Sequence, residues 1–140
     1  MKKVVIRGPL ITQSGYGVHS RQVARWLIEK SNASQIDLVC QCTNWGTTPW
    51  KLDENLDSGL IGEIMKHSRS VNHKFDVSIQ IQLPNEWDTK LGSYNVGITA
   101  GVETDICNPS WVDSINKMDL VIVPSEFTKK TFINSGKVTT

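Results

Sequence analysis

A chain of 140 residues holds one hydrophobic core and not two, and folding at this length removes roughly 68% of the unfolded surface from water. Its 15 basic and 14 acidic side chains leave a net charge of +1, without the cationic excess or basic stripe of a dedicated nucleic-acid binder. No apolar run approaches the roughly 18 residues that a membrane-spanning helix needs.

Val4, Val5 and Ile6 form a continuous apolar run closed by Arg7-Gly8-Pro9, the pattern of a strand buried on both faces. Lys2 and Lys3 before it mimic a secretion leader, but Arg7 and Gly8 interrupt the apolar stretch too early. After Ser14-Gly15-Tyr16-Gly17, the spacing of Val23, Ala24, Leu27 and Ile28 predicts a helix that runs to Lys30. Ile36 to Cys42 reads as the second strand. The polar stretch from Thr43 to Ser58, broken only by Trp45 and Trp50, is longer than most connections in a compact domain, and such loops tend to be functional.

Leu60, Ile61, Ile64 and Met65 put one apolar stripe on a short helix. Phe75, Val77, Ile79 and Ile81 alternate with Asp76, Ser78, Gln80 and Gln82, which predicts a strand with one polar face ending at Pro84. A further strand is expected over Tyr94 to Val102. Asn108-Pro109 is a helix start, with Asn as cap and Pro at the first helical position, and Trp111, Ile115 and Met118 share a face behind it. Leu120 to Val123 reads as another buried strand. Ser125 then caps a helix carrying Phe127, Phe132 and Ile133, Gly136 suits the position after it, and Lys137 to Thr140 resembles the start of one more strand.

Strand and helix alternate throughout, so the expected class is α/β: an open, mostly parallel, Rossmann-like sheet with helices on both faces. An ending on a nascent strand reads as an incomplete piece of something longer. Cys40, Cys42 and Cys107 are odd in number and cannot build a disulfide framework, which fits small thiols buried in strands and a reducing cytoplasm. Cys-x-Cys with one distant Cys and scattered His is a poor zinc set, so no metal is expected.

In open parallel sheets ligands bind beyond the carboxyl ends of the strands, so the loops there carry the candidate site. Gly15 and Gly17 let backbone N–H groups approach an anion at a helix N-terminus, or serve a tight turn and helix packing; spacing alone leaves both open. No Gly-Lys-Ser/Thr follows, and Gly8, Gly15 and Gly17 do not fit Gly-x-Gly-x-x-Gly. Asp37 lies about twenty residues beyond Gly17 but opens the second strand, whereas a ribose-binding acid belongs at that strand's far end. His19, in the helix's first turn, could reach a phosphate or sugar hydroxyl, or lie solvated. Glu103 and Asp105 follow a strand and would serve as a base or bind sugar hydroxyls, or cap the helix at Asn108. Gln82, Asn85 and Glu86, with Gln80, supply amides and a carboxylate at another strand end. Trp45, Trp50 and Trp87 lie in loops, where they stack on a ligand ring or pin their own loops, while Trp26 and Trp111 lie on helices as core residues.

Four ordered segments carry a resemblance: Ser14-Gly15-Tyr16-Gly17-Val18-His19-Ser20-Arg21, Gln82-Leu83-Pro84-Asn85-Glu86-Trp87, Gly97 to Asp105, and Met118 to Phe127 with its Val-Pro-Ser-Glu-Phe. Together they resemble the N-terminal half of a family 4 (group 1) glycosyltransferase of the GT-B fold, across nearly the whole chain. The resemblance implies a single domain over residues 1–140, the acceptor-side half of a two-domain enzyme whose other half binds the donor. The implied reaction moves a sugar from a nucleotide-diphosphate sugar, a co-substrate rather than a cofactor, to a carbohydrate or other hydroxyl acceptor. It makes Gly15, Tyr16 and Gly17 the loop near the donor diphosphate and Glu103 and His19 the catalytic candidates. Gln82, Asn85, Asp105, Ser125 and Glu126 would line the acceptor cleft. The chain has nothing corresponding to the donor domain, so the 140 residues alone are expected to be inactive, with self-association through the incomplete sheet or cleft. The alternative is a non-catalytic sugar- or phosphate-binding or assembly domain.

Overall fold

An apolar triplet such as Val4-Val5-Ile6 has no polar side to give to water, and its place is the middle of the sheet. The computed structural model describes all 140 residues. Its elements are β1 (Lys2–Gly8), α1 (Gly15–Asn32), β2 (Ile36–Cys42), α2 (Leu60–His67), β3 (Phe75–Ile81), a 3₁₀ turn (Pro84–Glu86), β4 (Gly92–Ile98), α3 (Pro109–Asn116), β5 (Leu120–Ile122) and α4 (Glu126–Ser135). The strands form one all-parallel sheet in the order β2-β1-β3-β4-β5, with β1 paired to β2 over its whole length. No helix is long and apolar enough to cross a membrane.

Alternation along each strand divides the core between two faces. Val4 and Ile6 of β1 and Leu38 and Cys40 of β2 meet Ala24, Leu27 and Ile28 of α1 and Leu60, Ile61 and Ile64 of α2. Each of these large aliphatic side chains contributes about 1.5–3 kcal/mol by leaving water. Val96 and Ile98 of β4 point to that same face, so Gly97 and its register partner Val121 face the other. There Val112 and Ile115 of α3, Phe132 of α4, Trp87 and Met118 form a second cluster, with Val121 packed against it. The fold is therefore Rossmann-like, with helices on both faces of the sheet.

Several local expectations change. β3 does not turn a polar face to water: Ser78 and Gln80 are fully buried. Ser78 Oγ donates to Asn95 Oδ1 (2.6 Å), Gln80 holds the backbone of Asp88 from both amide atoms (2.7 and 2.8 Å), and Asn95 Nδ2 donates to the carbonyls of Thr89 and Gly92. The 3₁₀ turn between β3 and β4 is too short to cover the sheet as a helix would, and this polar network with Trp87 fills the gap. The fourth strand begins two residues early and stops at Ile98, because Gly92 is paired with Phe75 and the chain turns away at Gly101 with φ of 76°. Leu120 to Val123 is not buried: β5 is an edge strand, with Leu120 44% and Ile122 46% exposed. Trp26 is no core residue either; it stands 55% exposed on α1, with the Lys30 ammonium 5.8 Å from its ring centre. Lys137 to Thr140 forms no strand and instead bonds to α3 and the turn after it, through Asn116 and the Met118 carbonyl. Gly136 is extended (φ 171°), not left-handed.

Candidate functional site

The loops that follow β1 and β4 meet the first turn of α1 at Thr12 and Ala100. Ser14 caps that helix, its Oγ accepting from Gly17 N–H at 2.9 Å, as its short side chain favours. The two glycines separate cleanly. A Cβ on Gly17 would overlap the Thr12 carbonyl oxygen, so Gly17 is demanded by packing of the turn against the helix. A Cβ on Gly15 would meet nothing within 4 Å, so no packing requires Gly15 to be glycine.

Tyr16 makes two contacts through its hydroxyl. Its Oη lies 3.2 Å from Thr99 Oγ1 and accepts from the Ala100 N–H at 3.0 Å, while its ring stacks on Trp45 at 4.2 Å between centres. One side chain thereby joins the start of α1, the loop after β2 and the loop after β4. Trp45 is thus spent on a pin rather than wholly free for a ligand, and Trp87 is buried against Gly97, where a Cβ would lie 2.7 Å from its ring. Trp50 is 37% exposed and forms an isolated antiparallel bridge with Thr12.

The long 43–58 loop is held by a buried arginine. Arg21 Nη1 donates to the Leu10 and Thr12 carbonyls (3.1 and 2.8 Å), and its Nε lies 3.0 Å from Asp57, which also meets Lys51 at 3.0 Å. Asp57 and Ser58 both have positive φ (53° and 58°), a conformation costly for non-glycine residues that the Arg21 and Lys51 contacts to Asp57 help to hold. Arg21 falls at helical spacing with the buried Gly17, Ser20 and Ala24, the one signal in the sequence that this cation points inward.

The remaining candidates divide. His19 lies one residue past the first turn of α1, half-buried, and lines an apolar groove of about 430 Å³ with Trp26, Val96, Ile98, Thr99 and Ile122. Glu103 and Asp105 are exposed in the loop after β4. They do not cap α3: Asn108 does, accepting from Ser110 N–H at 3.0 Å. Asn85 is exposed on the 3₁₀ turn, and Glu86 Oε2 accepts from Leu83 N–H at 3.1 Å. Ser125 is occupied as the cap of α4, bonded to Thr128 N–H, and Glu126 sits exposed in that helix's first turn, where its charge suits the dipole. Thr128 Oγ1 reaches the Ala100 carbonyl at 3.4 Å, tying α4 to the same loop that Tyr16 holds.

Four buried side-chain polar atoms lack a hydrogen-bond partner: Thr43 Oγ1, Gln82 Oε1, Trp87 Nε1 and His73 Nε2. The first three follow the carboxyl ends of β2 and β3. Neither Thr43 nor Trp87 stands out in the sequence as a polar site residue. The thiols are free and unequal in setting. Burial, with Cys42 beside it, pushes Cys40 up to about 12, whereas Cys107 is buried ahead of α3 and not in a strand. Away from the site, the Lys3 backbone N–H bonded to Asp76 holds that carboxyl below its ordinary value.

No family model, no curated protein and no solved structure matches the chain.

Proposed function

We propose that this chain is the acceptor-side domain of a glycosyltransferase, working on a nucleotide-diphosphate sugar and a hydroxyl acceptor. The observation that supports this reading best is the Tyr16 junction. By tying the capped N-terminus of α1 to the loop after β4, it sets an anion-favouring helix end beside a loop that carries two exposed, unspent carboxylates. In the proposed arrangement the diphosphate lies against the open N–H groups at Gly15, where a cap and a helix dipole stabilise charge that grows as the sugar leaves. Glu103 is the group we assign to the acceptor hydroxyl, as base or as hydrogen-bond partner, with Asp105 beside it. His19 faces an apolar groove and is the weaker of the two catalytic assignments. Ser125 is bonded as a helix cap, and its part in the proposal is to position the cleft wall.

The test is a calorimetric titration of the chain, and of any longer natural form of it, with uridine- and guanosine-diphosphate sugars, followed by chromatography for transferred sugar. Binding that weakens at least tenfold on Gly15→Pro supports the reading. Absence of both binding and transfer in every form would discard it. Saturable sugar binding with no affinity for nucleotide sugars would favour the non-catalytic binding domain instead.

A further inference from the structure

Val18, Arg21, Gln22 and Arg25 recur at spacings of three and four residues and so share one face of α1. The 43–58 loop lies against that face. Between them is an open cleft of about 370 Å³, to which the loop gives Lys51, Asp57 and Ser58. Three cations thus stand against one carboxylate, a local balance of +2 in a chain whose overall charge is +1. Asp57 already serves Arg21 and Lys51, and Arg25 forms no ion pair at all. Like charges gathered this way repel, and an anion placed among them turns that repulsion into attraction.

The donors are fixed in place before any ligand arrives, which lowers the cost of binding one. The Arg21 side chain is only 7% exposed, and its guanidinium is clamped through Nη1 by the Leu10 and Thr12 carbonyls and through Nε by Asp57. Its Nη2 donates no hydrogen bond within the protein and is not shut away from water, so one edge of the guanidinium fork is left for a ligand. Lys51 is anchored by its backbone N–H, which donates to the Ile11 carbonyl at 2.7 Å, and its ammonium spends one of three donors on Asp57. Gln22 and Ser58 are exposed, and their side chains make no hydrogen bond.

We propose that this cleft binds the phosphate group of a small phosphorylated molecule. Arg25, Lys51 and the free edge of Arg21 neutralise its charge, and the Gln22 amide and Ser58 hydroxyl donate to its remaining oxygens. A phosphate monoester brings close to two negative charges at neutral pH and three acceptor oxygens, which match the +2 balance and the number of free donors better than a carboxylate does. The site is distinct from the N–H groups at Gly15. Arg25 follows Gly15 by ten positions, about 15 Å along α1 at the helical rise. The recess at the helix start shares Arg21 and Lys51 with the cleft, but not Gln22, Arg25 or Ser58. Nothing in this assignment depends on the transferase reading.

The experiment titrates ¹⁵N-labelled protein with glycerol phosphate at constant ionic strength and follows the backbone amides of Gln22, Arg25, Lys51 and Ser58. Acetate and glycerol serve as the monoanionic and neutral controls. The four amides are expected to shift together and saturably with glycerol phosphate and with neither control. In Arg25→Gln the response weakens tenfold or more, while the melting temperature without ligand is unchanged because Arg25 is exposed and unpaired. Four results would overturn the assignment: no saturable shift, the same shift with acetate or glycerol, a response that Arg25→Gln leaves intact, or shifts confined to Gly15, Tyr16 and Gly17. The transferase reading is tested separately, with nucleotide sugars, and either reading can fail without the other.

Discussion

β1 and β5 carry nearly the same apolar signature, Val4-Val5-Ile6 and Leu120-Val121-Ile122, and meet opposite fates. In β1 the three side chains are 6%, 0% and 0% exposed, whereas Leu120 and Ile122 of β5 are close to half exposed. The difference is one of neighbours. β1 has a strand on each side and helices α1 and α2 over its Val4 and Ile6 face, while β5 has β4 on one side only, and Ile122 meets α1 only across the open groove lined by His19 and Trp26. A run of apolar residues thus specifies a strand, but its place in the sheet depends on segments far along the chain.

The largest expected effect opposes these strands directly. Ile6→Ala removes a fully buried side chain from the central cluster and is expected to cost about 3–4 kcal/mol by denaturant unfolding. Ile122→Ala is expected to cost under about 1 kcal/mol, because that side chain already meets water. Equal losses at both positions would mean that β5 is covered in solution. Next comes Arg21→Met, expected to cost about 3 kcal/mol, since it leaves the Leu10 and Thr12 carbonyls unpaired and Asp57 with Lys51 as its sole ion-pair partner. A milder loss would place the 43–58 loop outside the cooperative fold.

The glycines give a smaller contrast of opposite sign. Gly17→Ala, which drives a methyl into the Thr12 carbonyl, is expected to destabilise by about 2 kcal/mol, whereas Gly15→Ala, in open space on a helix, is expected to stabilise by up to about 1 kcal/mol. At neutral pH the Cys40 thiol adds nothing to the contrast, and its effect appears only in alkaline solution. Cys40 has its folded value raised to about 12 from 9.0, so its contribution is intact below pH 9 and is lost as pH climbs from 9 toward 12. Melting temperature should fall across that window, and Cys40→Ala should flatten part of the fall.

Much of the scaffold was legible because its signals are local. The Ser14, Asn108 and Ser125 caps, the α2 stripe and the apolar triplets each depend on residues within one or two turns. The features that escaped are set by distant partners. The alternation in β3 reads as a wet face, and only Asn95 and Asp88, brought in by the next strand and the loop before it, make Ser78 and Gln80 core residues. Trp26 has the spacing of a core aromatic, but no element is packed over it. At the site, the glycine loop, Gln82 and Glu103 were visible as types at strand ends. The Tyr16 junction and the unpaired Thr43 hydroxyl were not, since each is defined by partners, or their lack, from other strands.

The central claim is that the carboxyl end of the sheet, around the start of α1, is where ligand binds. Hydrogen–deuterium exchange of the chain with and without a saturating nucleotide-diphosphate sugar tests it most directly. Protection is predicted over residues 13–17, 43–45 and 99–105, with no change at the amino ends of the strands around Asp37 and Asp76. Protection confined to those amino ends, or to the β5 edge, would contradict the account.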